Sequence, residues 1–151
     1  MDVLSELFIL LQQLREAKVP YALCGGFALS VYGISKPTND IDILLPAAAI
    51  PLLRRTIMPL GYEHEGEIES RQDGQVLISH FYKLGTTEAD TITLDVLHVT
   101  EPVQSAWDGR KALLSEVGEV KVVSKEGLIE LLLFRNGPSD QRVLARLDTL
   151  D

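Results

Sequence analysis

The spacing of hydrophobic residues near the N-terminus predicts a helix, a short strand and a second helix. Apolar residues first recur every three or four positions, which predicts an amphipathic helix over residues 2–17. The members of this stripe are Leu4, Leu7, Phe8, Leu11 and Leu14. Pro20 ends the pattern, and YALC then predicts a short strand. After two glycines, FALSVYG predicts a helix of about two turns that ends at Gly33.

The middle of the chain changes from a buried strand to a helix and then to several strands. DIDILL, at residues 40–45, contains the run of Ile and Leu that is typical of a buried strand. Pro46 opens AAAIPLLRRTIMPL, which predicts a helix with Pro51 in its first turn. From Gly61 onward, GYEHEGE, VLISHFYKL and TITLDVLHV predict strands separated by the turn-like segments RQDG and GTTEAD.

The last part of the chain predicts one more strand and two closing helices. QSAWDGRK predicts a loop or short helix in which Trp107 anchors packing, and EVKVV predicts a strand. SKEGLIELLLFRNG, with Ser124 as its N-cap, and GPSDQRVLARLDTL predict closing helices at about 124–150. This order predicts a single α+β domain over residues 1–151, with a small mixed sheet flanked by helices.

Composition restricts the classes of function that this chain can serve. Its 151 residues are 46% hydrophobic and 24% charged, as in ordinary globular proteins. No stretch approaches the roughly 20 apolar residues of a membrane span, and we expect a cytoplasmic protein with no membrane partner. Cys24 is the only cysteine, which excludes a cysteine-based zinc site. The net charge of −8 disfavours a broad, non-specific surface for nucleic acid.

Two aspartates at the start of the DIDILL strand are the first candidates for chemistry. Asp40 and Asp42 are two residues apart, so their side chains leave a strand on the same face. Two adjacent carboxylates repel each other, and a cation between them relieves the repulsion. Oxygen ligands of this kind suit Mg²⁺ or Mn²⁺, although acidic pairs without a metal are also common at strand ends.

The segment LCGGFALSVYG is the second candidate, because a strand passes through Gly25 and Gly26 directly into a helix. Glycines allow an anion to approach the backbone, and the N–H groups of a helix N-terminus favour a phosphate there. The alternative interpretation is a tight strand-to-helix turn with no ligand.

A third carboxylate lies in the later strand TITLDVLHV. Asp95 shares one face of this strand with Thr93 and Leu97, and a charge in so apolar a strand needs a partner. A hydrogen-bonded or edge-strand aspartate is the alternative. His80 and Tyr82 share a face of the preceding strand, where a role at the sheet surface is favoured over contact with a nucleotide.

Together these features resemble the nucleotidyltransferase superfold, the group that includes DNA polymerase beta and the kanamycin-type aminoglycoside nucleotidyltransferases. The matching pattern is a Gly-Gly turn, 13 intervening residues, Asp-x-Asp and a later strand with one more Asp. KPTNDIDIL also resembles the R-x-T-x-D-I-D stretch of toxin-like members found in abortive-infection and toxin–antitoxin systems. LIELLLFRNGPSDQRVLARL resembles the closing helical pair of those members.

The resemblance implies a catalytic and metal-binding triad, consisting of Asp40, Asp42 and Asp95. It implies two Mg²⁺ or Mn²⁺ ions and a nucleoside triphosphate bound through Gly25, Gly26, Lys36 and Thr38. A nucleoside monophosphate would pass from the NTP to an acceptor hydroxyl on a tRNA, a protein or a small molecule. An antitoxin or other partner protein belongs to the toxin-like version. The alternative is a catalytically silent binding or regulatory module with the same fold.

Overall fold

The computed structural model of the protein describes residues 2–35, 38–115, 118–135 and 138–148. The α-helices in these ranges are α1 (Val3–Glu16), α2 (Gly25–Val31), α3 (Ile50–Ile57), α4 (Gln104–Asp108), α5 (Lys125–Arg135) and α6 (Pro138–Asp148). The strands are β1 (Ala22–Cys24), β2 (Asp40–Leu45), β3 (His64–Glu65), β4 (Glu69–Arg71), β5 (Val76–Lys83), β6 (Ile92–His98), β7 (Lys111–Ser115) and β8 (Gly118–Val122).

In the described part of the chain the strands form one sheet, in the order β3-β5-β6-β2-β1-β8-β7, with β4 also paired to β5. β2 runs parallel to β6, and β1 runs parallel to β8. The remaining strand pairs are antiparallel. The predicted α+β class, with a mixed sheet flanked by helices, is therefore confirmed.

The two faces of β5 and β6 have different environments. On β6, Leu94 and Val96 are completely buried, whereas Asp95 between them is only half-buried. We call the side that carries Leu94 and Phe81 the core face, and the side that carries Asp95 and His80 the cavity face. Helix α1 lies on the core face, because Lys83 of β5 forms an ion pair with Glu6 of α1.

Polar caps and a proline define the starts of three helices. The Asp2 carboxylate accepts a hydrogen bond from the Leu4 N–H at 3.1 Å and caps α1. Ser124 caps α5 in the same way, because its Oγ accepts from the Gly127 N–H at 2.9 Å. Pro51 lies in the first turn of α3, as predicted. Among the described helices, none is both long and apolar enough to cross a bilayer.

Some elements differ from the sequence prediction. Helix α2 begins at Gly25, two residues before the predicted start, so both glycines belong to its first turn. Helix α3 follows a short 3₁₀ turn at Ala47–Ala49 instead of starting at Pro46. Strands β4 and β7 were not predicted. β4 has only three polar residues and β7 is mostly exposed, so neither carries the alternation that marks a strand with one buried face.

Candidate active site

The turn from β1 into α2 brings the backbone of Gly25 into direct contact with the Asp42 carboxylate. Gly25 has a φ of +67°, in the left-handed region that favours glycine. A Cβ atom added at Gly25 would lie only 2.6 Å from Asp42 Cγ, closer than two carbon atoms can approach. Cys24, the residue before Gly25, is the register partner of Asp42 in the β1–β2 ladder. Glycine is therefore required here both by the backbone conformation and by the position of the Asp42 carboxylate.

The start of β2 is fixed by Thr38. The Asp40 N–H donates to Thr38 Oγ1 at 2.9 Å, so the hydroxyl that we associated with nucleotide binding contacts the backbone of the first aspartate. From there Asp40 and Asp42 project to the cavity face, while Ile41 and Ile43 between and after them are completely buried. The alternation of strand side chains places both carboxylates on one face, as predicted.

The third carboxylate lies beside the first two. Strands β2 and β6 are parallel, and their register pairs the Cα atoms of Asp42 and Asp95 directly. Paired residues of neighbouring strands project to the same face of a sheet, so Asp95 joins Asp40 and Asp42 on the cavity face. The pKa of Asp40 is raised, first by burial and then by the negative charge of Asp95. The Asp40 and Asp95 carboxylates therefore repel each other in the absence of a cation.

A network of side chains supports Asp95 from the neighbouring strands. His80 is the register partner of Asp95 on β5, and its Nδ1 lies 2.6 Å from Asp95 Oδ1. The other ring nitrogen, Nε2, lies 3.2 Å from Glu69 Oε1 on β4, and Glu69 also forms an ion pair with Arg71. Each ring nitrogen of His80 therefore has a carboxylate partner. These contacts therefore fix the orientation of the Asp95 side chain.

These residues surround a cavity of about 410 Å³ between the sheet, α2 and α5. The predicted residues that line it are Gly25, Gly26, Thr38, Asp40, Asp42 and Asp95. Lys36, the remaining predicted binding residue, lies outside the described residues. His80, Glu69 and Arg71 also line the cavity, next to apolar side chains of β5, β6 and α5. A volume of this size lies within the range of small-molecule sites.

Solved structures of other proteins share this architecture. The lincosamide antibiotic adenylyltransferase LnuA, solved with lincomycin bound, aligns with a TM-score of 0.61 at 20% sequence identity, covering 97% of each chain. A candidate nucleotidyltransferase from Thermotoga maritima gives 0.65 at 13% identity, covering 95% of this chain and 90% of that one. The antibiotic-resistance factor ANT(2'')-Ia gives 0.58 at 18% identity, covering 97% of this chain and 83% of that one. This chain has the nucleotidyltransferase fold. No protein-family model and no curated protein sequence matches it.

The carboxylates of this nucleotidyltransferase fold also fit a divalent cation. Within the described residues, no three Asp, Glu, His or Cys side chains form a ready-made metal cage. Mg²⁺ does not need one, because it keeps several waters and is usually held by one or two carboxylates together with substrate phosphates. Asp40 and Asp42 offer oxygen-only ligands on one face. Burial and the charge of Asp95 raise the pKa of Asp40, and a cation would relieve that repulsion. The donor set therefore suits Mg²⁺ or Mn²⁺.

The sequence pattern predicts the three carboxylates as site residues and favours a sheet-surface role for His80, and it gives no indication of Glu69 or Arg71. His80 contacts Asp95 only because β5 and β6 pair in one particular register. Glu69 lies on a strand that the sequence pattern does not reveal. The available signal was the position of His80, which lies on a strand adjacent in sequence to the one that carries Asp95.

Proposed function

We propose that this protein is a metal-dependent nucleotidyltransferase that moves a nucleoside monophosphate from an NTP to an acceptor hydroxyl. The observation that carries the proposal is the convergence of Asp40, Asp42 and Asp95 on one sheet face, next to a glycine turn that opens a helix. The nucleotidyltransferase fold of the similar structures supports it. The cytoplasmic location stays a prediction.

Each side chain has a distinct role in the proposed reaction. Asp40 and Asp42 would hold Mg²⁺ together with the triphosphate, and Asp95 would hold a second ion. The bound ions would supply charge neutralisation at the phosphates and at the attacking oxygen. Asp95 would accept the proton of the acceptor hydroxyl while the hydroxyl oxygen bonds to the α-phosphorus. The bond between the α-phosphorus and the oxygen that bridges it to the β-phosphate would break, and pyrophosphate would leave. The backbone at Gly25 and Gly26 would contact the departing phosphates, with Lys36 as an added positive charge.

Among the acceptors that the sequence resemblance leaves open, we propose a small molecule. LnuA is a lincosamide adenylyltransferase, and ANT(2'')-Ia has been solved with adenylyl-2''-tobramycin, so proteins of this fold act on small antibiotics. The net charge of −8 disfavours a large RNA acceptor. A tRNA or protein acceptor, and with it the toxin-like role and an antitoxin partner, stays a prediction from the resemblance.

The alternative of a catalytically silent module is less well supported by the site. Three carboxylates share one sheet face, and burial together with the negative charge of Asp95 raises the pKa of Asp40. A binding module without metal chemistry would have no use for this repulsion, and amides at the same positions would avoid it.

Two measurements test the proposal. Mn²⁺ binding, followed by electron paramagnetic resonance, and MgATP binding, followed by calorimetry, are compared between the parent, Asp42→Asn and the control Asp108→Asn in the exposed part of α4. We expect Asp42→Asn to weaken Mn²⁺ binding and MgATP binding at least tenfold, and Asp108→Asn to change neither. Equal binding by all three proteins would refute the metal site. Pyrophosphate release from each of the four NTPs, with a panel of hydroxylated acceptors, then separates an enzyme from a module that binds MgATP without turnover.

A further inference from the structure

The cavity extends well past the carboxylates and becomes apolar. On the sheet it continues along β5 and β6, and on the other side it is bounded by α5. We call the following half-buried residues the apolar wall: Val76, Ile78, Leu97, Leu131 and Phe134. The residues of the main core are at most 8% exposed, so the wall differs from the core in keeping accessible surface. Accessible apolar side chains inside a concave site are typical of a ligand surface.

The sheet register places the wall immediately beside Asp95. Ile78 pairs with Leu97 in the β5–β6 ladder, and His80 pairs with Asp95 two residues away on the same face. Two residues of a strand span about 7 Å, so the apolar pair lies one side-chain step from the carboxylate that would accept the proton. A molecule with its hydroxyl at Asp95 would therefore extend over Leu97 and Ile78.

The β5 residues of the wall, Val76 and Ile78, lie on the side of Asp95 that is away from the proposed phosphate contacts. Gly25 and Gly26 follow β1, and Asp42 lies on β2, whereas the wall belongs to β5, β6 and α5. In the sheet, β6 separates β5 from β2 and β1. The position of the β5 part of the wall therefore favours contact with the acceptor over contact with the triphosphate.

The charges at this end of the cavity disfavour a polycationic acceptor. The only acidic lining residue beyond Asp95 on this side, among the described residues, is Glu69. Its carboxylate already contacts His80 Nε2 and Arg71 Nε. An ammonium group there would have to compete with Arg71 and His80 for the Glu69 carboxylate. Gln72 also lines the cavity, and its Nε2 donates to the Phe134 carbonyl oxygen at 3.3 Å.

We infer that the apolar wall binds the body of the acceptor, and that the acceptor is a hydroxyl-bearing molecule with an apolar portion and not a polycation. This inference rests on the proposed function for the role of Asp95 as proton acceptor. It deepens that function, because it selects one chemical class among small-molecule acceptors.

Matched glucosides test the inference on the unmodified protein. Octyl β-D-glucoside and methyl β-D-glucoside carry the same sugar hydroxyls, but only the first has an apolar chain. We expect calorimetry, below the concentration at which the octyl compound forms micelles, to show at least about tenfold tighter binding of octyl glucoside. Equal binding of the two glucosides, or tighter binding of the polycation tobramycin than of octyl glucoside, would overturn the inference.

Two variants test where octyl glucoside binds. Ile78→Asn should weaken octyl glucoside at least about tenfold, whereas Leu114→Asn, at a residue that is 89% exposed on β7, should leave it within about twofold. If Ile78→Asn weakened MgATP and left octyl glucoside unchanged, the wall would hold the nucleotide base and the inference would be wrong. The proposed function fails separately, if the parent does not bind MgATP or if Asp42→Asn binds it equally well.

Discussion

Strands β5 and β6 carry two histidines on opposite faces, and the contrast between them separates the site from the core. On the cavity face, His80 is half-buried between the carboxylates of Asp95 and Glu69. On the core face, His98 is 7% exposed, and its Nε2 lies 2.8 Å from Ser79 Oγ. Burial lowers the pKa of His98, so the neutral imidazole is favoured there.

The difference shows how one pair of strands serves two purposes. The core face buries hydrocarbon and tolerates a polar pair only because the imidazole and the hydroxyl satisfy each other. The cavity face keeps charged groups together within reach of solvent and supports them with hydrogen bonds from neighbouring strands. Substitutions on the core face should therefore reduce stability, whereas those on the cavity face should reduce binding and catalysis.

The largest expected effect is on the core face. Leu94→Ala removes most of a completely buried side chain at the centre of β6 and should lower the free energy of unfolding by about 2–5 kcal/mol. Urea unfolding followed by circular dichroism measures this loss. Leu114→Ala, at the 89% exposed residue of β7, should change stability by less than about 0.5 kcal/mol.

If the two faces are functionally separate, the folded Leu94→Ala protein should bind Mn²⁺ within about twofold of the parent. Weakened Mn²⁺ binding by the folded Leu94→Ala protein would contradict the separation of the faces.

The next effect concerns the glycine turn. Gly25→Ala places a methyl group where the Asp42 carboxylate lies and also strains a backbone φ of +67°. Displacement of the Asp42 carboxylate should reduce the rate of nucleotidyl transfer by about a hundredfold. Where no acceptor is known, the affinity for MgATP is measured instead, and the same loss is expected.

Gly33→Ala is the matched control for the glycine turn, because Gly33 has a φ of +86° but open space around the added Cβ. Both variants should lose some stability from backbone strain, and only Gly25→Ala should lose binding. Similar loss of MgATP affinity in the two variants would mean that strain, and not the contact with Asp42, explains the need for glycine.

A smaller effect is expected from loss of the contact between His80 and Asp95. His80→Asn removes the ring contact to Asp95 and should weaken Mn²⁺ binding by roughly 10–100-fold, as for other groups that orient a metal ligand. Electron paramagnetic resonance of Mn²⁺ measures the change. His98→Asn on the core face should leave Mn²⁺ affinity unchanged. Unchanged or tighter Mn²⁺ binding by His80→Asn would show that His80 does not orient Asp95 for a metal.

The smallest effect is the pH dependence that His98 contributes. Because burial lowers the pKa of His98 below its ordinary value of 6.5, the unfolded chain binds more protons than the folded protein as the pH falls below that value. Stability should therefore decline below about pH 6.5, with a contribution from this residue of at most about 1.4 kcal/mol per pH unit.

Urea unfolding between pH 5 and 7.5 tests this sign. His98→Asn should flatten the decline in stability, whereas His64→Asn, at an exposed histidine on β3, should not. Parallel pH profiles for the parent and His98→Asn would show that His98 is not responsible.

Much of the local structure could be predicted because it depends on neighbours in sequence. The stripe of leucines in α1, the buried run of β2 and the Ser124 cap of α5 are each determined by side chains within a few residues. Strands β4 and β7 could not be predicted, because they are short or exposed and exist only through pairing with β5 and β8. The network of His80 and Glu69 escaped prediction for the same reason.

The sequence by itself determined that Asp40 and Asp42 share a face, since alternation along a strand is a local property of the backbone. It also determined that Asp95 would sit in an otherwise apolar strand. Only the tertiary structure decided that Asp95 lies opposite Asp42, that Gly25 contacts the Asp42 carboxylate, and that His80 and an apolar wall complete the cavity. Those contacts depend on strand order and register, which are set by the packing of the whole chain and not by any one segment.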